Sequence, residues 1–228
     1  VAVLAFGDSI TQGRIATLGP SDVGRIDPAG AFLLNPSAGL LQALSYPATL
    51  QQLLRTRYAA QEPVVFNRGI DGERASAGRG RLAGEINAVR PDVLLLLEGV
   101  NDIHLSIAAG RTPVPVGPIA GELRDMVEIA QERGVEVLLA TLTPVSDQRN
   151  AGWPGLRTGI DNLNAEIRRL ASDRRLGPAV DLAAAFGGDL SLIGSDGLHP
   201  NEAGYAKIAE TFLAAFASRF ESTIAPQP

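Results

Sequence analysis

Two short polar segments near opposite ends of the chain carry the side chains best suited to nucleophilic chemistry. The first contains Ser9, which follows the apolar run Val1–Phe6 and is expected to open a helix. There the hydroxyl is exposed, and the backbone N–H belongs to the unpaired donors of the helix N-terminus. A serine becomes a nucleophile when a base takes its proton, and imidazole is the usual base near neutral pH. Taken alone, a serine in this position is more often a helix N-cap.

The second segment supplies a candidate base. Of the two histidines in the chain, His199 is preceded by Asp196 at three residues, with Gly197 between them to permit a tight turn. This spacing would let the carboxylate orient the imidazole and stabilise its protonated form. A turn that only caps the last helix explains the same pattern equally well. The other histidine, His104, follows Asp102 near the start of a predicted helix, where a surface or capping role is expected.

Hydrolysis of a carbonyl compound by Ser9 would also need hydrogen-bond donors for the developing oxyanion. Gly72 has no Cβ, so its backbone N–H can approach a ligand closely. Asn101 offers a neutral amide donor, and losing one such donor typically costs about 10²–10³-fold in turnover. A turn glycine and a turn asparagine are the plain alternatives for these two residues.

These candidates must be positioned by the elements that precede them, and the sequence predicts an α/β fold. Short apolar runs alternate with segments whose apolar residues recur every three or four positions, a pattern typical of a doubly wound parallel sheet covered by helices. The predicted strands are Val1–Phe6, Val64–Asn67, Val93–Leu97, Val135–Thr141 and Ala179–Leu182. The predicted helices are Tyr46–Ala60, Ala75–Arg90, Pro118–Arg133, Leu156–Arg175 and Asn201–Phe220. Functional groups gather where parallel strands end, and small or polar residues follow the first three runs.

Four segments together resemble the sequence blocks of the SGNH (GDSL) hydrolase superfamily, in that family's order. They are FGDSIT at 6–11, NRGIDG at 67–72, GVND at 99–102 and DGLHP at 196–200. The resemblance implies a three-layer flavodoxin-like fold with a five-stranded parallel sheet in the order 2-1-3-4-5. It further implies Ser9 as nucleophile, His199 as base and Asp196 as its orienting carboxylate. The implied oxyanion hole consists of the Ser9 N–H, the Gly72 N–H and the Asn101 side chain.

Two details of the sequence bear on this resemblance. Ile10 stands where the family usually has leucine, a conservative change. The G-x-S-x-G nucleophile elbow of the other large class of serine hydrolases is absent, since Thr11 follows Ser9 where that motif requires glycine.

Composition excludes several other classes of protein. The 228 residues include 20 basic and 25 acidic side chains, a net charge of −5, and no cysteine. A nucleic-acid partner is therefore not expected, and neither are disulfides, thiol nucleophiles or iron–sulfur clusters. With two histidines and no HExxH pair, a multi-histidine metal site is excluded. A calcium or magnesium site made of carboxylates alone stays open, but no EF-hand spacing occurs, so we predict neither a metal nor a cofactor.

One domain spanning residues 1–228 is predicted, with a loop-rich insertion at about 14–45. The uncharged stretch Pro28–Leu54 contains three prolines, which excludes a membrane span there. The sequence begins at Val1 inside a strand-like run, so we expect that an upstream segment was removed, either at an artificial boundary or as an export signal. A secreted or periplasmic location is favoured over a cytoplasmic one.

The predicted activity is hydrolysis of carboxylic esters through an acyl-serine intermediate. An esterase or lysophospholipase for short to medium acyl chains is one hypothesis, because Trp153 and apolar residues of the insertion could wall an acyl pocket. For most of these apolar residues, packing of the insertion onto the body is the favoured role; they are Phe32, Leu33, Leu40 and Leu41. The alternative is a carbohydrate O-acetylesterase, so the expected partner is a small ester or an acylated carbohydrate.

Two further hypotheses assign the chain no hydrolytic activity. The segment Gly78–Ala83 loosely matches the GxGxxA pattern of nucleotide-binding turns, so a flavin- or nucleotide-binding protein is a distant alternative. That segment lies inside a helical pattern, however, rather than at a strand-to-helix turn. A catalytically inactive carbohydrate-binding relative is disfavoured because Ser9, Asp196 and His199 are all present.

Overall fold

A computed structural model describes residues 1–15 and 44–221 of the chain. The predicted insertion at 14–45 lies almost wholly outside the described residues, and so do its four apolar residues. Within the described ranges, no helix combines the length and apolar character needed to cross a bilayer.

The centre of the fold is a parallel β-sheet of four strands in the order β2-β1-β3-β4. The strands are Ala2–Gly7 (β1), Val64–Gly69 (β2), Val93–Leu97 (β3) and Glu136–Leu139 (β4). Every residue of β3 is buried, because helices cover both faces of the sheet. In the register of the sheet, Gly7 lies beside Gly69 on one side and Leu97 on the other, so these three strands end at the same edge.

The prediction of five strands was wrong, because the fifth segment forms a single parallel bridge, between Ala140 and Val180. Val180 donates to the Leu139 carbonyl at 2.8 Å and accepts from Thr141 N–H at 3.0 Å, so it lies beside β4. The next residue, Asp181, already caps the following helix by accepting the Ala184 N–H at 3.1 Å. Because the helix begins there, no residues are left to extend the ladder.

The five predicted long helices are all present, with ends shifted by no more than a few residues. In chain order the helices are Ser9–Gln12 (α1), Tyr46–Arg57 (α2), Ala75–Val89 (α3), Val100–Ala108 (α4), Val116–Gln131 (α5), Asp147–Gly152 (α6), Leu156–Asp173 (α7), Leu182–Phe186 (α8) and Glu202–Phe220 (α9). Single 3₁₀ turns occupy Ala59–Gln61 and Leu190–Leu192.

The long helices form two groups, one on each face of the sheet. Helices α2 and α9 pack against each other, with the rings of Tyr46 and Phe212 stacked at 5.3 Å between centroids. Helices α3, α5 and α7 pack in a row on the other face. Their apolar sides join the strands in one continuous buried core, which includes Leu82 of α3, Leu123 of α5 and Leu163 of α7.

A close approach between β2 and α1 positions the first polar segment. A Cβ added to Gly69 would lie 2.1 Å from the Gln12 backbone nitrogen, so only glycine fits there. This contact holds α1 against the end of β2, and Ser9 is the first residue of that helix.

Candidate active site

The predicted site residues meet at the carboxyl edge of the sheet. Ser9 follows β1, Gly72 lies in the loop after β2, and Asn101 lies in the first turn of α4 after β3. The turn that contains Asp196 and His199 precedes α9 and reaches the same edge, because Ser9 and His199 are in direct contact there.

Ser9, His199 and Asp196 form a continuous series of hydrogen bonds. Ser9 Oγ lies 2.8 Å from His199 Nε2, and His199 Nδ1 lies 2.5 Å from Asp196 Oδ2. Because an ionised carboxylate can only accept, Nδ1 carries the imidazole hydrogen and Nε2 is left to accept the Ser9 O–H. Ser9 and His199 are 3% and 5% exposed, so the hydrogen bond between them is shielded from bulk water, whereas the Asp196 side chain is 33% exposed.

The carboxylate of Asp196 is held in its ionised form. Burial would raise its pKa, but hydrogen bonds from His199 and from the Leu198 and His199 backbone N–H groups outweigh burial and lower the pKa well below its usual value. The two backbone bonds, at 2.9 and 3.0 Å, both end on Oδ1, which leaves Oδ2 for the imidazole. The carboxylate is therefore fixed in orientation and charge.

The turn around Asp196 needs a glycine at its second position. Gly197 has φ +74°, and an added Cβ would lie 2.2 Å from Ser146 Oγ. The Ser146 N–H donates to the Gly197 carbonyl at 2.9 Å, so the chain after β4 supports this turn.

Neither capping alternative describes these residues. Asp8 caps α1 by accepting the Ile10 N–H at 2.9 Å, which leaves the Ser9 hydroxyl to His199. Asn201 caps α9 by accepting the Gly204 N–H at 3.1 Å, so the Asp–His turn has no capping role there.

The three predicted oxyanion donors differ in how they are held. Among the described residues, the backbone N–H groups of Ser9 and Gly72 have no hydrogen-bond partner. Gly72 has φ +73°, and no atom lies within 4 Å of an added Cβ, so its surroundings are open. The Asn101 side chain donates one of its two Nδ2 hydrogens to the Glu73 carbonyl at 2.8 Å, which leaves the second for a ligand.

His104 is not part of the series but lies beside it. Its Nδ1 is 3.1 Å from the Val100 carbonyl and its Nε2 is 3.2 Å from Arg149 Nη2, so Nδ1 donates and Nε2 accepts. Burial lowers the pKa of His104, and the nearby Arg149 and His199 lower it further. The ring packs edge-on against Trp153 at 5.1 Å between centroids. His104 is therefore partly buried and packed against Trp153, whereas a surface or capping role was expected.

A cleft of about 220 Å³ lies beside Trp153 and extends to Asp196. It is lined by Ser146, Gln148, Arg149, Gly152, Trp153, Ser195 and Asp196. The lining is mainly polar, which differs from the acyl pocket predicted around Trp153.

The sequence analysis did not predict two buried carboxyl groups that lie next to the site residues in the chain. Asp8 and Glu98 directly follow the neighbouring strands β1 and β3, and each is 1% exposed. Burial raises the pKa of Asp8 to about 7, and burial together with Asp8 raises the pKa of Glu98 well above its usual value. Glu98 Oε1 accepts the Gly99 N–H at 3.2 Å, whereas Oε2 is buried without a partner in the described part of the chain. Their signal in the sequence was an acidic residue directly after a wholly apolar strand.

No group of three or more potential metal ligands occurs among residues 1–15 and 44–221. Of the carboxylates near the site, Asp102 accepts the Ala75 N–H at 2.9 Å.

Fold and site together define a parallel α/β protein in which Ser9, His199 and Asp196 meet at the carboxyl edge of the sheet. The chain belongs to the GDSL-like lipase/acylhydrolase family, whose model matches residues 5–207. The SGNH (GDSL) resemblance drawn from the four sequence blocks is thereby confirmed.

One relative found by sequence comparison agrees with this membership. A multidomain esterase of Ruminococcus flavefaciens is 26% identical over 148 residues, which cover 62% of this chain and 18% of that protein. This chain therefore spans less than a fifth of that relative's length.

Three solved structures share the fold. A lipase/acylhydrolase from Enterococcus faecalis is 24% identical with a TM-score of 0.69, covering 98% of this chain and 99% of that chain. The acetyl xylan esterase AlAXEase is 22% identical with a TM-score of 0.68, covering 94% and 99%. The acetylxylan esterase Axe2 from Geobacillus stearothermophilus is 21% identical with a TM-score of 0.68, covering 93% and 92%.

Proposed function

We propose that this protein is a serine esterase in which Ser9 is the nucleophile, His199 the general base and Asp196 the carboxylate that orients it. The observation that carries the proposal is the unbroken hydrogen-bond series from Ser9 Oγ to Asp196, at 2.8 and 2.5 Å. The burial of Ser9 and His199 strengthens the hydrogen bond between them, because water does not compete there.

In the first half of the reaction, Ser9 Oγ forms a bond to the ester carbonyl carbon while its proton passes to His199 Nε2. The carbonyl π electrons move to the oxygen, which becomes the oxyanion. When the tetrahedral intermediate collapses, the bond to the alkoxy oxygen breaks and His199 gives its proton to the departing alcohol. In the second half, water attacks the acyl-serine and the same proton transfers restore Ser9.

Three donors are available for the oxyanion in this proposal. The Ser9 N–H and Gly72 N–H are without partners in the described ranges, and Asn101 keeps one amide hydrogen. Donors held in place before the reaction stabilise charge that exists only in the transition state, so they raise kcat rather than ground-state affinity.

The polar cleft beside Asp196 favours a carbohydrate ester as the second, more specific candidate. Arg149, Gln148 and Ser195 line it together with the ring of Trp153, a combination suited to hydroxyl groups and a sugar ring. An acyl chain would gain little from such a lining. Two of the fold neighbours bear the name of acetyl xylan esterases, which agrees with an acetylated carbohydrate as substrate.

The nucleophile assignment is tested by labelling with a fluorophosphonate and locating the modified residue by mass spectrometry. We expect the label on Ser9, and we expect Ser9→Ala to lose both labelling and ester hydrolysis with an unchanged melting temperature. Ser172→Ala, at an exposed serine near the end of α7, is the matched control and should behave as wild type. Turnover that survives in Ser9→Ala would refute the assignment.

The substrate candidate is tested separately with 4-nitrophenyl esters of increasing chain length and with acetylated xylan oligosaccharides. For a carbohydrate esterase, Trp153→Ala should raise KM for the oligosaccharide and leave hydrolysis of 4-nitrophenyl acetate nearly unchanged. A preference for long acyl chains, or equal losses on both substrates, would contradict it.

A further inference from the structure

The loop between β2 and α3 carries the Gly72 N–H and also the carbonyl that holds Asn101, so both donors depend on how this loop is anchored. We propose that Arg81 is a positioning residue for the oxyanion hole, acting through Glu73. This inference rests on the proposed function, and it assigns a role to a residue outside the four sequence blocks.

Arg81 holds the Glu73 carboxylate with two hydrogen bonds. Arg81 Nε donates to Glu73 Oε1 at 2.7 Å and Nη2 donates to Oε2 at 2.5 Å. The Glu73 side chain is 5% exposed and that of Arg81 is 20% exposed. A two-point contact between a planar guanidinium and a carboxylate fixes direction as well as distance, which a single bond does not.

Arg81 is itself fixed by elements of the sheet. Its guanidinium carbon lies 3.9 Å from the centroid of the Phe6 ring, in β1, and its Nη2 also donates to the Arg68 carbonyl, in β2, at 2.7 Å. Gly78 provides the room, because an added Cβ there would lie 3.2 Å from the Phe6 ring and 3.5 Å from Glu73 Oε2. Arg81 therefore ties the loop to two neighbouring strands, the edge strand β2 and the inner strand β1.

The anchored residue controls both donors. Glu73 directly follows Gly72, so the placement of its backbone limits where the Gly72 N–H can point. Its carbonyl accepts the Asn101 amide at 2.8 Å, which orients the hydrogen that remains. A shift of Glu73 would thus move two of the three proposed donors at once.

This arrangement also explains the segment Gly78–Ala83, which loosely matched a nucleotide-binding pattern. It lies within α3 rather than at a strand-to-helix turn. A glycine at position 78 leaves room for Phe6 and Glu73, which pack against it. Arg81 holds the Glu73 carboxylate by hydrogen bonds. Gly78 of this pattern, together with Arg81, therefore has a structural role beside the loop between β2 and α3.

The test compares Arg81→Met with Arg79→Met, an exposed arginine of the same helix that pairs with Glu122. Methionine keeps most of the contact with Phe6 but cannot hold Glu73. We expect kcat on 4-nitrophenyl acetate to fall on the order of 10²-fold in Arg81→Met, as for the loss of one oxyanion donor, with KM little changed. Affinity for a boronic acid that forms a tetrahedral serine adduct should fall in parallel, and Arg79→Met should match wild type.

A double variant separates positioning from stability. Arg81→Met alone leaves a buried carboxylate unpaired and lowers the melting temperature, whereas Glu73→Met/Arg81→Met replaces the pair by apolar side chains and should recover much of that loss. If Arg81 acts by positioning, kcat stays low in the double variant although the fold is stable. Recovery of kcat together with stability would overturn the proposal.

A double-mutant cycle with Asn101→Ala gives an independent check. Because both changes act on the same oxyanion hole, their combined loss of kcat should be smaller than the product of the single losses. Independent, multiplicative effects would count against the proposal. A wild-type protein without any esterase activity would instead overturn the proposed function, so the two failures are distinguishable.

Discussion

The buried carboxyl group of Asp8 leads to a quantitative prediction about stability and pH. Asp8 precedes Ser9 and is 1% exposed. Burial raises its pKa from 3.8 to about 7; the hydrogen bond from the Ile10 N–H opposes this, and the negative charges of Asp71, Glu73 and Asp102 add to it. Asp8→Asn removes the titration but keeps an oxygen that can cap α1.

The sign follows from proton binding in the two states. Below about pH 4 Asp8 is protonated whether the chain is folded or not, so wild type and Asp8→Asn respond alike to pH. Between about pH 4 and 7 the unfolded chain releases the proton while the folded protein retains it, so wild type loses stability relative to the variant as pH rises. The difference between a pKa of 3.8 in the unfolded chain and about 7 in the folded protein corresponds to roughly 4 kcal/mol in the free energy of unfolding. Asp8→Asn should gain this stability relative to wild type as the pH rises from 4 to 7, and the gain should stay constant above pH 7.

The assay is urea unfolding of both proteins at half-unit steps from pH 4 to 8.5. Only the difference in the free energy of unfolding between the two proteins is interpreted, since it cancels the titrations that do not depend on Asp8; the titration of Glu98, whose pKa the Asp8 charge also raises, contributes to the difference. Ser172→Ala, at an exposed serine of α7, serves as the control and should give a flat difference because it removes no titrating group.

Two outcomes would refute the reasoning. A difference between Asp8→Asn and wild type that does not change with pH would mean that Asp8 has no raised pKa in the folded protein. A difference that shrinks as pH rises would mean that the folded state favours the ionised form, contrary to the argument from burial.

The remaining predictions concern the turn before α9. In Asp196→Asn the imidazole loses the partner that selects its tautomer, so kcat should fall on the order of 10⁴-fold with folding retained, as steady-state kinetics and circular dichroism will show. Gly197→Ala forces a Cβ to within 2.2 Å of Ser146 Oγ at a φ of +74°, so both the melting temperature and kcat per folded molecule should drop. Asn201→Ala removes the cap of α9 and should cost about 1 kcal/mol in urea unfolding, and a loss near zero would contradict its capping role.

Much of the fold is visible in the sequence because local patterns determine it. Apolar runs such as Val93–Leu97 are typical of strands in a sheet covered on both faces, and the three- and four-residue spacing of Leu156–Asp173 is typical of a helix with one buried side. The spacing from Asp196 to His199 is likewise local, since a three-residue turn with glycine in it brings carboxylate and imidazole together. The catalytic roles of these residues stay predictions.

Other features could not be read from local patterns. Whether Ala179–Leu182 forms a strand depends on where α8 begins. Because Asp181 caps α8, the chain enters the helix after a single β-bridge at Val180 and forms no fifth strand. The contact between Arg81 and Phe6 joins residues that are distant in the chain, and no periodicity marks it.

The sequence by itself therefore determined the types of most elements and the candidate site residues, since both depend on residues a few positions apart. The tertiary structure decided which carboxyl groups are desolvated, which backbone N–H groups are left without a partner, and what anchors the loop between β2 and α3. These properties depend on desolvation and on packing between strands and helices that are far apart in the chain, and they exist only once the sheet has brought those elements together.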